Sequence, residues 1–250
     1  MSSGRQSPGR VRVYSGPWAW GAEGRVALAE GAGTALLVLL SCLPGERAWR
    51  AAAAGAVVAM LVQCLDHVSG AMYNPAVTLA ALLWGRVSAP RAACMWAAQL
   101  AGAALGAAAL HVLLVEPAAA AGVTLPAPGY AAWRAACVEG AATACLALAN
   151  CAAWDPRNDG LRDSWPLRIG VCVAALSLVA GEATGASMNP ARSFGPALLA
   201  AHWQHHWVYW VGPLGGSLTA TMLYIAVWRP PADSAPAAAW RPPLAPLPRL

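Results

Sequence analysis

Six stretches of this chain are apolar enough, over a great enough length, to cross a lipid bilayer, and that constrains the fold before anything else does. They lie near residues 25–43, 51–66, 90–115, 132–153, 166–182 and 206–228 and are rich in Ala, Leu and Val. Crossing about 30 Å of hydrocarbon as a helix takes roughly 20 such residues. Hydrocarbon offers no water to pair backbone N–H and C=O groups, so blocks of this length are read as helices. With 58% hydrophobic and 11% charged residues in 250, the chain has more apolar surface than a soluble core of its size could bury. The expected fold class is an all-α membrane protein.

All 16 basic residues are Arg, and their distribution predicts orientation. With both termini in the cytoplasm, twelve face inward: Arg5, Arg10, Arg12, Arg25, Arg86, Arg91, Arg157, Arg162, Arg168, Arg229, Arg241 and Arg249. Only Arg47, Arg50 and Arg134 face outward, which is the bias expected of cytoplasmic loops. Residues 1–24 hold no discrete apolar core with a cleavage site, so the first span is expected to be its own insertion signal. The tail 229–250 is rich in Pro and is expected to stay extended on the cytoplasmic side. A net charge of +5 raises nucleic acid as a partner, but the Arg residues are scattered without an aromatic platform, and that reading is set aside. Cys64, Cys94, Cys137, Cys145, Cys151 and Cys172 fall inside spans without metal-ligand spacing and are expected to be buried thiols; no metal or cofactor is expected. Trp49, Trp84, Trp133, Trp154, Trp165, Trp203 and Trp207 lie near span ends, where interfacial anchoring is expected.

Two further apolar stretches, 74–84 and 189–201, are too short to span, and both begin Asn-Pro-Ala: Asn74-Pro75-Ala76 and Asn189-Pro190-Ala191. The surrounding residues match at an offset of 115 positions, and Glu30 with Thr34 in the first span is echoed by Glu139 with Thr143 in the fourth. The chain therefore reads as two repeats, about 25–115 and 132–228, forming one unit over 25–228. Three spans per repeat is an odd number, so the halves insert in opposite senses as an inverted repeat. Their short segments would enter from opposite faces as re-entrant half-helices and meet at the midplane.

Asn is a strong N-cap and Pro is favoured at the first helical position, so Asn-Pro reads as a helix start. Two such starts meeting head to head place two positive dipole ends, each equivalent to roughly half a charge, in mid-membrane, which repels cations. A water accepting from both Asn amides could not easily relay a proton. The preceding residues, Gly70–Tyr73 and Gly185–Met188, are expected to run extended with carbonyls turned to a water-filled path. Glu30 and Glu139 admit a proton-relay role, but their matched positions favour structural acceptors for the backbone of the two re-entrant loops. His202, His205 and His206, before the last span, could sense pH or bind a metal, though a solvated outer loop is the plainer reading.

Taken together, His67-Val68-Ser69-Gly70-Ala71, Asn74 to Thr78, Thr184-Gly185 and Asn189-Pro190-Ala191-Arg192-Ser193-Phe194-Gly195-Pro196-Ala197 resemble the signatures of the aquaporin, or major intrinsic protein, family. The resemblance implies six tilted helices with two half-helices, one pore per protomer, and a homotetramer in a lipid bilayer, here the plasma membrane. It also implies a selectivity filter at Ala54, Ser177, Ala186 and Arg192. Water-selective relatives usually place an aromatic residue and a His at the first two of these positions. Here both are small, and Ser193 after Arg192, Ala197 and the pair Tyr209-Trp210 look like the water-channel branch. That combination resembles the insect entomoglyceroporins and implies permeation by water, glycerol and urea but not by ions or protons. A water-selective channel follows instead if Met72 or Met188 fills the space over Ala54. A secondary transporter would need an ion site that is not evident, and an adhesive membrane protein has no support in the short outer loops. No nucleophile, base and orienting group can be placed together, so an enzyme is not expected. With no Cys at position 186, mercurial block through the filter is not expected.

Overall fold

The computed structural model describes residues 21–114 and 121–230, except for the side chain of Arg47. The two tails, with Arg5, Arg10, Arg12, Arg241 and Arg249, lie outside the described residues, as does the rest of the Pro-rich segment. Eight α-helices follow in order: α1 Ala22–Ser41, α2 Arg47–Ser69, α3 Pro75–Trp84, α4 Ala89–Leu113, α5 Ala132–Trp154, α6 Trp165–Thr184, α7 Pro190–Leu199 and α8 Val208–Val227. Among the described residues there is no strand. Six of the helices, all but α3 and α7, are long and apolar enough to cross a membrane.

Hydropathy marks the apolar middle of each span, but the helices run past it. α2 extends from Arg47 to Ser69 rather than over 51–66, because backbone pairing continues for as long as the residues tolerate it. α2, α3 and α6 each stop at a glycine in the left-handed conformation, Gly70, Gly85 and Gly185, whose N–H closes the last turn. A short 3-10 segment, Pro156–Ser164, not apparent in the hydropathy pattern, links α5 to α6 and starts under an Asp155 cap that accepts from the Arg157 N–H at 3.0 Å.

Between spans there is no hydrophobic drive in lipid, so small residues let backbones close on one another. α1 packs against α4, α5 against α8, and α2 against α6. A Cβ on Gly216 would come within 1.9 Å of the Gly140 carbonyl oxygen, and one on Gly55 within 2.3 Å of that of Gly170. α3 ends beside α8, where Arg229 donates to the Trp84 carbonyl at 3.2 Å. α7 points the other way: its Pro196 lies against Gly122 in the connection from α4 to α5. The two halves thus run through the bundle in opposite senses. Residues 21 and 230 share one face of the bundle, called here the tail face.

Burial departs from expectation at two groups of residues. Cys42 and Cys151 are buried and Cys172 is half-buried, but Cys64, Cys94, Cys137 and Cys145 are exposed. A span in lipid is apolar on every side, so hydropathy carries no information about which side faces the bundle. Trp84 is buried rather than interfacial, because α3 is interior and ends against Trp154, Tyr224 and Arg229. Trp49, Trp133, Trp203 and Trp207 are exposed.

Candidate pore and its supporting residues

The segments before α3 and α7 are not extended. Positive φ recurs at alternate residues, Ala71 and Tyr73 in the first (47° and 49°) and Ala186 and Met188 in the second (47° and 52°). Each left-handed residue other than Gly costs roughly 1–2 kcal/mol, so something must hold the turns.

That support comes from the two acids, both wholly buried. Glu30 Oε1 accepts from the Ser69 hydroxyl at 2.6 Å and the Met72 N–H at 3.0 Å; Oε2 accepts from the Tyr73 N–H at 2.7 Å and from Gln99 Nε2 at 2.8 Å. Glu139 Oε1 accepts from the Thr184 hydroxyl at 2.6 Å and the Ser187 N–H at 2.9 Å; Oε2 accepts from the Met188 N–H at 2.7 Å. Ser69 and Thr184 also each accept the N–H two residues on, from Ala71 and Ala186, at 3.1 Å. Hydrogen bonds contribute about 0.5–1.5 kcal/mol each, and the three or four that converge on each acid are of the size needed to offset the strain. Thr34 and Thr143 do not reach the loops; each donates to the carbonyl of its acid one turn earlier, at 2.7 Å. Gln99 supports only the first half, donating also to Thr78 Oγ1 at 2.8 Å.

Asn74 and Asn189 cap α3 and α7. Asn74 Oδ1 accepts from the Ala76 N–H at 2.8 Å, and Asn189 Oδ1 from the N–H groups of Ala191 and Arg192 at 3.0 and 3.2 Å. Each Asn amide also donates across the pseudo-twofold: Asn74 to the Met188 carbonyl at 2.8 Å and Asn189 to the Tyr73 carbonyl at 2.9 Å. One N–H of each amide is thus committed to the opposite loop. The two helix starts are tied together at the centre of the fold.

A cavity of about 1600 Å³ passes this junction. Asn74 and Asn189 are in its wall, as are Met72, Met188, Ala54, Ser177, Ala186 and Arg192. Arg192 is half-buried and donates from Nη1 to the Gly122 carbonyl. Gly122 has φ +77° and packs against Cys42 and Pro196, where a side chain would collide. Gly122 and Gln99 were not singled out in the sequence. Gln99 left a signal, an amide within an apolar span, whereas Gly122 lies in a connection without a repeat partner. His202, His205 and His206 do not form a metal site, and among the described residues no group of three or more His, Cys, Asp or Glu does. His206 Nε2 accepts instead from the Trp210 indole at 3.0 Å, edge-on to the Trp203 ring.

The sequence pattern of the major intrinsic protein family matches residues 22–224 of the chain. The chain belongs to the major intrinsic protein family. Among its relatives, "Probable aquaporin TIP4-2" of Oryza sativa subsp. japonica is 44% identical over 67% of this chain and 65% of that protein. The lens fiber major intrinsic protein of Oryctolagus cuniculus is 44% identical over 70% and 66%, and that of Gallus gallus 41% identical over 80% of each chain. The match thus spans just under two thirds of the length of the first two relatives. The structure of the aquaglyceroporin from Plasmodium falciparum superposes with a TM-score of 0.75 over 82% of this chain and 96% of that one; at 22% identity it shows the shared fold. Family membership together with six apolar helices makes this an integral membrane protein.

Proposed function

We propose that this major intrinsic protein is a passive channel for water and for small uncharged solutes such as glycerol and urea, closed to ions and protons. The observation that carries the reading is one cavity whose wall holds the paired Asn74 and Asn189 together with the small residues Ala54, Ser177 and Ala186 and the side chain of Arg192. Ala54, Ser177 and Ala186 leave room for a solute broader than water, while Arg192 donates to a hydroxyl or carbonyl and repels cations. The N–H that each Asn keeps free of the opposite loop would bind a passing oxygen at the positive ends of α3 and α7, where a proton is disfavoured. In this reading Asn74-Pro75-Ala76 and Asn189-Pro190-Ala191 form the central constriction, Ala54, Ser177, Ala186 and Arg192 the filter, and Glu30 and Glu139 the loop supports. The unit is 25–228, with tails 1–24 and 229–250 in the cytoplasm, assembled as a homotetramer in the plasma membrane. The likeness to entomoglyceroporins points the same way.

The test is osmotic swelling with labelled glycerol and urea uptake in oocytes, for the parent chain and for Ser177→His. Uptake of both solutes, lost in the variant while water flow remains, supports the proposal. Water flow without solute uptake in the parent sinks it and leaves a water-selective channel. That second reading draws on Met72 and Met188, buried residues of the same cavity wall.

A further inference from the structure

The second half of the chain carries one buried polar group that neither the loop supports nor the proposed filter uses. Asn150 lies in the last turns of α5 with 6% of its surface exposed, and it lines the cavity, as does Leu146 one turn earlier. α5 ends at the tail face, where Arg157 in the connector to α6 donates to the Trp228 carbonyl at 2.5 Å. Asn150 thus stands roughly 6 Å along the helix axis from that end. Toward the same face α2 gives the cavity Val62, and α6 gives it Ile169 and Val173, none of which offers a solute a hydrogen bond.

Only half of the Asn150 amide is used. Nδ2 donates to the Leu146 carbonyl at 2.9 Å, and because a carbonyl only accepts, this bond settles which end of the amide is the NH2. Within a helix that carbonyl already receives the backbone N–H four residues on, so the extra bond serves to fix the amide's orientation. Among the described residues none donates to Oδ1. Nor is Oδ1 sealed from solvent, as the unpartnered Gln99 Oε1 and His202 Nε2 are. It therefore opens on the cavity.

The inverted repeat supplies a counterpart. Ser41 precedes Asn150 by the same 109 positions that separate Glu30 from Glu139 and Thr34 from Thr143. Ser41 also lines the cavity, at the end of α1 away from the tail face, and donates to the Leu37 carbonyl at 2.6 Å. Each half thus puts one polar side chain, folded back on its own helix and with an acceptor lone pair to spare, into the wall. A polar group inside a span is costly unless something uses it.

We propose that Asn150 Oδ1 is a permeant-binding site in the tail-side half of the cavity, accepting an N–H or O–H of an uncharged solute, urea above all. The proposal rests on the channel reading above. A solute entering an aliphatic stretch gives up water, and one accepted hydrogen bond offsets part of that loss. Urea carries more donors than acceptors and gains most. Water brings other waters as partners and gains less.

The experiment compares the parent with Asn150→Leu, Asn150→Val and Asn150→Ser in oocytes, at matched surface abundance, for osmotic water flow and for initial uptake of labelled urea and glycerol at low concentration. The expected result is a fall in urea uptake of roughly threefold or more in Asn150→Leu, with water flow held within about twofold, and uptake near the parent's in Asn150→Ser, whose hydroxyl can fold back as that of Ser41 does. Asn150→Val carries the test if the Leu side chain prevents folding, and glycerol replaces urea if the parent passes glycerol alone. Unchanged solute uptake in the apolar variants, an equal fall of solute and water, or a loss in Asn150→Ser as large as in Asn150→Leu overturns the site and leaves the channel reading intact. If the parent passes neither solute, the solute reading has failed and water is the probe: a fall in water flow of roughly twofold or more in Asn150→Leu that Asn150→Ser does not share upholds the site, and any other result overturns it.

Discussion

Glu30 and Glu139 do for two short lengths of backbone what water does for an exposed loop, and the consequences can be tested one residue at a time. In Glu139→Gln the amide keeps one acceptor oxygen but turns an NH2 toward the Ser187 and Met188 N–H groups, leaving at least one of them buried and unpaired. That costs about 1–3 kcal/mol, so the variant should unfold at a clearly lower temperature in detergent; melting at the parental temperature would show that Glu139 does not hold the loop. His206 allows a pH prediction. Burial lowers its pKa, and the Nε2 lone pair is occupied by the Trp210 indole, with the uncharged rings of Trp203 and Tyr209 beside it. The unfolded imidazole, near 6.5, takes up protons before the folded one, so the contribution of the neutral ring is present above about pH 6.5 and is lost as pH falls below it. Protection against hydrogen exchange over residues 202–210, taken relative to the intrinsic rate at each pH, should fall between pH 7 and 5 in the parent and change less in His206→Gln.

At the scale of elements, α3 and α7 have ten residues each, too few to be stable alone in water. They persist because both ends are satisfied, by Asn caps at the junction and by tertiary contacts beyond it. The spans depend on closeness instead. Gly216→Leu drives a side chain into the Gly140 backbone where α5 meets α8, and overpacking of this kind costs about 1–3 kcal/mol or more. The expected outcome is a sharp loss of monodisperse protein on size-exclusion chromatography, whereas Gly215→Ala, with open space around it, should behave as the parent does. Trp84 and the four exposed cysteines show what hydropathy misses at this scale: a half-helix reads like a span end, and the lipid side of a span reads like its packed side.

For the whole molecule, the tail face carries a second acid-sensitive point. Hydrogen bonds from Arg157, opposed by burial, bring the Asp155 pKa down to about 2. A depressed carboxylate stabilises the fold fully above its ordinary value near 3.8 and loses that contribution as pH falls toward about 2. The connector should therefore stay latched throughout the physiological range, and Asp155→Asn should flatten the acid limb of a stability profile measured between pH 5 and 2. A passive channel also predicts solute flux proportional to the solute gradient and indifferent to imposed proton or sodium gradients; dependence on either would identify a transporter.

Length and hydropathy were enough for the six spans and the two short segments, because a bilayer demands about 20 apolar residues and tolerates few exceptions. Span parity and the matched Asn-Pro-Ala stretches were enough for opposed halves, and the matched positions of Glu30 and Glu139 pointed to the loop supports. Packing decided the rest: the alternating left-handed turns instead of extended loops, the amide N–H of each Asn spent on the other half, and the Gly122 carbonyl under Arg192. Each of these joins residues far apart in the chain or depends on which side of an apolar helix faces inward. One-dimensional periodicity cannot encode such choices when lipid and protein interior are equally apolar.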